Sequence, residues 1–199
     1  MQQIHEHYLP KKQAIEQRLR DFSRLSDEDI FYELCFCLLT PQSKGKFCWE
    51  RVERLRTADF KNKDFNPHSH IKDIRFHNNK NNYLIKAKKQ FPMILEHLQM
   101  QQDPYQLREW LVQHVEGYGY KEASHFLRNI GHRNLAILDR HILRNLTRYQ
   151  VIQELPKTLT RKRYLAIEQQ FQHFARQLGI SMDALDLLFW SEETGEIFK

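Results

Sequence analysis

The chain has 199 residues, 28% of them charged, with a formal net charge of +6 and a pI near 9.2. That length allows one domain or two small lobes, each with a proper core, and the basic balance favours a polyanionic partner. No stretch approaches the roughly 18 apolar residues that a membrane span needs, so a membrane-spanning protein is excluded.

The charge is local. Residues 61–90 hold eight Lys/Arg and two Asp/Glu, 8 − 2 = +6, so the rest of the chain is balanced. The three cysteines, Cys35, Cys37 and Cys48, are an odd number, which points to a reducing interior. Cys35 and Cys37 are two apart and face different sides of a helix, so no shared metal is expected, and no cofactor either. The N-terminus shows no apolar signal-peptide core, which makes the cytoplasm the expected compartment.

In chain order almost everything reads as helix. Residues 2–22 form a polar-faced helix with Ile4, Tyr8, Ile15 and Leu19 as its apolar stripe. Ser26 and Asp29 make a capping box for a helix that is apolar nearly all round, hence buried, and that Thr40-Pro41 stops. Gln42 and Ser43 turn a tight polar corner into a helix over 44–55. Residues 57–82 are the least regular part, and a basic amphipathic helix starts near Asn81, broken at Pro92. Asp103-Pro104 opens the next helix, with Leu107, Trp110, Leu111 and Val115 as its stripe. Helices over 161–178, closed by Gly179, and over 182–190, capped by Ser181, complete the chain. No strand pattern is present. The fold class expected is all-α.

The most informative stretch is 116–140, EGYGYKEASHFLRNIGHRNLAILDR. Gly117 and Gly119 pinch a turn between two helices, so about 105–131 reads as a helix-hairpin-helix. Glycines there let the backbone approach a partner closely, and the free N–H groups of the second helix can hold a phosphate. That helix buries Ala123, Phe126, Leu127 and Ile130, which turns Lys121 away from the core. A lysine at this helix start sits by the positive dipole end, which favours the free amine that nucleophilic attack requires. Asp139 is placed to N-cap a third helix, 139 − 121 = 18 residues on, and its carboxylate can steady a cationic sugar. Both residue types also have plain uses, on an exposed helix face and as a helix cap.

VEGYGYKEASHFLRNIG followed by AILDRHI resembles the helix-hairpin-helix DNA glycosylases, whose hairpin carries a lysine and whose following loop ends in an aspartate. More closely, the chain resembles the archaeal-type 8-oxoguanine DNA glycosylase/AP lyases. ELCFCLLTPQSK at 33–44, IRFHNNKNNYL at 74–84 and DLLFWSEETGEIFK at 186–199 look like the same family. The resemblance implies one glycosylase unit over 1–199, built as two intertwined helical lobes around a cleft. It implies Lys121 as nucleophile, Asp139 as its catalytic partner, and the C-terminal Lys199 as the residue that tells 8-oxoguanine from guanine. Trp190 would pack near a flipped base. Gln42, with Ser43 beside it, would fill the gap left in the duplex. Three scattered cysteines cannot build the four-cysteine iron–sulfur cluster of some relatives. The implied partner is double-stranded DNA carrying 8-oxoguanine or abasic sites, bound by a monomer. The alternatives are a helix-hairpin-helix module that only binds DNA and a glycosylase with another lesion preference.

Overall fold

The structure, a computed structural model, describes residues 2–199. Among them it has eleven α-helices and no strand: α1 Gln2–Tyr8, α2 Lys12–Phe22, α3 Asp27–Leu39, α4 Gly45–Thr57, α5 His68–Ile71, α6 His77–Met100, α7 Pro104–His114, α8 Tyr120–Asn129, α9 Arg140–Arg148, α10 Arg161–Leu178 and α11 Met182–Thr194. No helix is long and apolar enough to cross a membrane. The chain divides into two compact units, the second formed by residues 25–126 and the first by 1–24 with 127–199.

The second unit is built on α3. Ser26 accepts from the Asp29 N–H and Asp29 accepts in return from the Ser26 N–H, so the expected capping box is complete. Phe31, Tyr32 and every residue from Leu34 to Leu39 are at most 1% exposed, and α4 and α6 pack against this all-round apolar helix. The helix stops at Leu39, but Thr40 keeps a helical φ of −70° and ψ of −28°, contrary to the expected extended residue before proline. What stops it is the missing N–H of Pro41, and the Thr40 hydroxyl donates to the Cys37 carbonyl thus left open, at 3.2 Å.

Two other prolines behave differently from their sequence reading. The helix expected over 2–22 is split by a 3₁₀ turn at Leu9–Lys11, where Pro10 removes a donor. Conversely, α6 starts at His77, earlier than expected, and runs unbroken through Pro92. Pro92 lies on an exposed face, where water can serve the carbonyl that its ring leaves without a donor. The residue that starts α6, Phe76, is half exposed with a left-handed φ of 60°.

The first unit packs α2, α9 and α10 on α11, whose residues Met182 to Phe189 are all buried. Gly179 closes α10 as expected, and α11 extends to Thr194, where Gly195 closes it. A buried ion pair, Arg128 to Asp186 at 3.3 Å, sits in this unit beside Asp183, which accepts from the Asn134 N–H at 3.1 Å. Burial holds the Asp183 carboxyl above its ordinary range.

The Asp29 cap carries a pH signature. Burial pushes its carboxyl up, but hydrogen bonds from Ser26 and Arg56 outweigh this and hold it below the ordinary 3.8. Its stabilising contribution is therefore present above the unfolded value and lost as pH falls through the folded one. Asp29→Asn should lower the melting temperature at pH 7 by roughly 2–4 °C for a loss of about 1 kcal/mol. The difference from the unmodified protein should shrink as thermal melts are taken below pH 3.8.

Candidate active site

In the second unit the hairpin forms where the sequence places it, with α7, a turn over 115–119, and the start of α8. Its two helices are clasped by Arg108, 1% exposed, which donates to the Ser124 hydroxyl at 3.2 Å. Tyr120 adds a 2.5 Å hydrogen bond to Glu109. Between the glycines, Tyr118 points inward, and its hydroxyl donates to the Leu34 carbonyl of α3 at 3.1 Å. Burial raises the Tyr118 phenol well above its ordinary range, so it stays a donor. The tyrosine thus anchors the turn to the central helix.

The two glycines are not equivalent. Gly117 has φ +96°, and a Cβ there would lie 2.6 Å from the Tyr83 ring of α6. Gly119 has room, with only the Glu122 carboxylate at 3.2 Å from such a Cβ. That carboxylate accepts from the Gly119 N–H at 3.2 Å and its other oxygen meets the Lys121 ammonium, also at 3.2 Å. Lys121 is outside the core, as expected, with 24% of its side chain exposed. Its neighbour Glu122 is a partner the sequence reading missed. The signal was present, because a Glu three residues after a helix-starting Gly is half of a capping box.

The corner after α3 lies within electrostatic reach of Lys121 in the same unit. Ser43 N–H donates to the Thr40 carbonyl at 3.0 Å, closing a four-residue turn with Pro41 and Gln42 in its centre. Gln42 is exposed and has φ +55°. With proline first and a positive φ second, this is a type II turn, which normally takes Gly or Asn at the second position. A non-glycine residue in that region costs about 1–2 kcal/mol.

What opposes that strain is Lys80 of α6, another residue the sequence reading missed. It was counted as part of the basic patch, yet it is 3% exposed. Its ammonium donates to the Leu39 carbonyl at 2.8 Å, the Pro41 carbonyl at 2.8 Å and the Ser43 hydroxyl at 3.1 Å. All three of its N–H donors are thereby used. Hydrogen bonds from a charged donor contribute about 1.5–3 kcal/mol each, enough to outweigh the turn strain. Burial pushes the Lys80 ammonium down to about 8; the Cys48 thiol counters this, and the charges of Lys121 and Arg75 add to it. Cys48 also donates to Leu39, at 3.2 Å, and burial pushes its thiol up to about 11. The stripe Lys80, Leu84, Ala87, Phe91, Ile94, Leu98 shows at helical spacing that Lys80 belongs to the buried side of α6.

The basic patch is smaller than its count for the same reason. Lys86 pairs with Glu116, and Lys88 donates to the Lys63 carbonyl at 2.6 Å. Asn79, Asn82, Tyr83, Ile85, Lys86, Lys89 and Glu116 line an open concavity beside the hairpin turn.

The first unit holds the other expected residues. Asp139 caps α9 with φ −86° and ψ 178°, accepting from the Ile142 N–H at 2.8 Å. Two residues on, His141 bonds the Phe189 carbonyl at 2.8 Å and lies 4.9 Å from the Trp190 ring, centroid to centroid. Trp190 is half-buried rather than core. Ile197, Phe198 and Lys199 are each partly buried. Among the described residues no group of three or more His, Cys, Asp or Glu could hold a metal.

Comparisons with known proteins agree along the whole chain. Residues 15–180 match the protein family described as 8-oxoguanine DNA glycosylase. A Fusobacterium nucleatum protein named 8-oxoguanine DNA glycosylase/AP lyase is 40% identical over 99% of this chain and 96% of its own. A Korarchaeum cryptofilum protein of the same name is 39% identical, covering 94% of this chain and 91% of its own. The crystal structure of the Methanocaldococcus jannaschii 8-oxoguanine glycosylase/lyase in complex with a 15mer DNA containing 8-oxoguanine superposes with a TM-score of 0.89. That likeness has 32% sequence identity and covers both chains completely.

The two glycines give a contrast that melts and binding assays can read. Gly117→Ala should cost about 1–3 kcal/mol and weaken DNA binding, since both its φ and the Tyr83 ring oppose a methyl group. Gly119→Ala should change stability by less than about 1 kcal/mol.

Proposed function

The chain belongs to the 8-oxoguanine DNA glycosylase family, and from that membership we propose that it excises 8-oxoguanine from duplex DNA and cuts the strand at the resulting abasic site. The observation that carries this reading is the likeness over 99% of the chain to a relative named for both activities. The partner is double-stranded DNA containing the lesion. We take the protein to act as a monomer in the cytoplasm, on the nucleoid.

The target nucleotide flips out, because its sugar carbon is out of reach within the stack. The Lys121 amine attacks C1′, and the bond from C1′ to the base breaks, with its electron pair leaving on the base. Ring opening then gives a Schiff base between Lys121 and the sugar. Loss of a C2′ proton expels the 3′ phosphate, which completes β-elimination. The Asp139 carboxylate takes up the amine proton and steadies positive charge on the sugar. Its N-cap bond fixes the carboxylate's direction before DNA arrives. The glycines of the hairpin let the backbone come close to the duplex, and the Gly117 amide and the exposed lysines of α6 hold phosphates, which makes affinity fall with salt.

Lesion choice rests on what differs between the two bases. 8-Oxoguanine offers an N7–H donor and an O8 acceptor that guanine lacks. The partly buried Lys199 carries an ammonium, a donor suited to the O8 acceptor. Trp190, half-buried beside His141, offers an aromatic face for the base.

Borohydride trapping on duplexes carrying 8-oxoguanine, an abasic site or intact guanine tests the reading. A covalent adduct with the lesion, absent with guanine and lost in Lys121→Gln, is expected. Asp139→Asn should slow base release by about 10²–10³-fold. An adduct with the abasic duplex alone would reduce the activity to a lyase, and no adduct with base release absent would leave a DNA-binding module. In a separate assay of excision rates, removing Lys199 should narrow the preference for 8-oxoguanine over guanine. An unchanged ratio would rule out that role.

A further inference from the structure

Lys80 takes no part in the chemistry proposed for Lys121 and Asp139, yet it is a buried cation in the unit that holds Lys121. Its ammonium bonds the last carbonyl of α3, at Leu39, together with the Pro41 carbonyl and the Ser43 hydroxyl on either side of Gln42. The bond to Pro41 is the informative one. In a turn closed between Thr40 and Ser43, the peptide between Pro41 and Gln42 has two orientations that differ by a flip of its plane. In type I its carbonyl points one way and the second central residue keeps a negative φ. In type II the carbonyl points the other way and that residue must take a positive φ, as Gln42 does at +55°. A glutamine on its own prefers the first orientation. Lys80 bonds the carbonyl in the second.

We propose that Lys80 is a positioning residue for excision: by holding the Pro41 carbonyl it keeps the corner in its type II form, so that Gln42 is presented outward to fill the gap left by the flipped nucleotide. This rests on the proposed glycosylase function and on Gln42 entering the duplex. The location of Lys80 fits the task. It approaches from the buried stripe of α6, so DNA cannot compete for its three hydrogen bonds. The Cys48 thiol shares the Leu39 carbonyl, so both the end of α3 and the corner are fastened from below. The side chain of Gln42 remains exposed.

A double-mutant cycle over Lys80→Met and Gln42→Ala, read by single-turnover excision, tests the coupling. Lys80→Met should slow release of 8-oxoguanine at least tenfold, and borohydride trapping on an abasic duplex, where no base must be unstacked, by less than threefold. In the Gln42→Ala background the same substitution should cost less than twofold on the lesion. In the Lys121→Gln background, 2-aminopurine opposite the lesion should brighten on binding, and Lys80→Met should abolish that rise while leaving a duplex affinity that can be measured. Lys80→Gln, which keeps a donor without the buried charge, should lie between and serves if Lys80→Met does not fold. Equal losses on lesion and abasic duplexes, or full losses that multiply with Gln42→Ala, would overturn the role. If Gln42→Ala alone is neutral, the presented residue is wrong and the proposal falls with it. Absence of lesion excision by the unmodified protein would instead overturn the function on which it rests.

Discussion

A helix buried on every side has terminal carbonyls that water cannot serve, and α3 meets this constraint with side chains from across its unit. Thr40 answers Cys37, Lys80 and Cys48 answer Leu39, and Tyr118 adds a bond to Leu34. Each of these donors brings a functional segment with it. Tyr118 carries the hairpin turn, Lys80 carries α6 and the Gln42 corner, and Cys48 carries the start of α4. Satisfying the backbone of one helix therefore arranges the hairpin turn and the Gln42 corner, the two segments we propose meet DNA. The cost of an unsatisfied buried carbonyl, about 1–3 kcal/mol, explains why polar side chains occur so deep in an apolar core.

The hairpin divides its labour by residue. Gly117 lies close against the Tyr83 ring and Gly119 against the Glu122 carboxylate, whereas the tyrosine between them is fixed inward. Glu122 accepts from the Gly119 N–H and meets Lys121, so a single carboxylate completes the helix start and sets the direction of the amine. In the first unit Asp139 is held in an analogous way, by a backbone N–H at the start of α9. Two helix starts thus present the two groups to which we assign the chemistry, and each is oriented by bonds that also cap its own helix.

Much of this was legible in the sequence because the signals were local. Ser26 with Asp29, Asp103 with Pro104, Gly179, Ser181 and Asp139 all act within four residues, and each does in the structure what its spacing implies. The two proline misreadings run in opposite directions although both rings are exposed: α6 runs through Pro92, and a 3₁₀ turn splits the helix at Pro10. The other misreadings concern burial, which spacing reports only indirectly. Trp110 is not core but is stacked between His97 and His114, at 4.1 and 4.4 Å. Lys80 was hidden by its own chemistry, since a lysine among eight basic residues looks like surface until the apolar stripe it continues is traced.

The buried thiols have a consequence for the circumstances in which such a protein works. Cys35, Cys37 and Cys48 form no disulfide and are fully covered, and burial raises the thiols of Cys35 and Cys48. Peroxides and electrophiles react with the thiolate, so all three sulfurs are withheld from them by access, and Cys35 and Cys48 by protonation as well. The oxidants that turn guanine into 8-oxoguanine therefore have no ready thiol to attack in the protein that removes it.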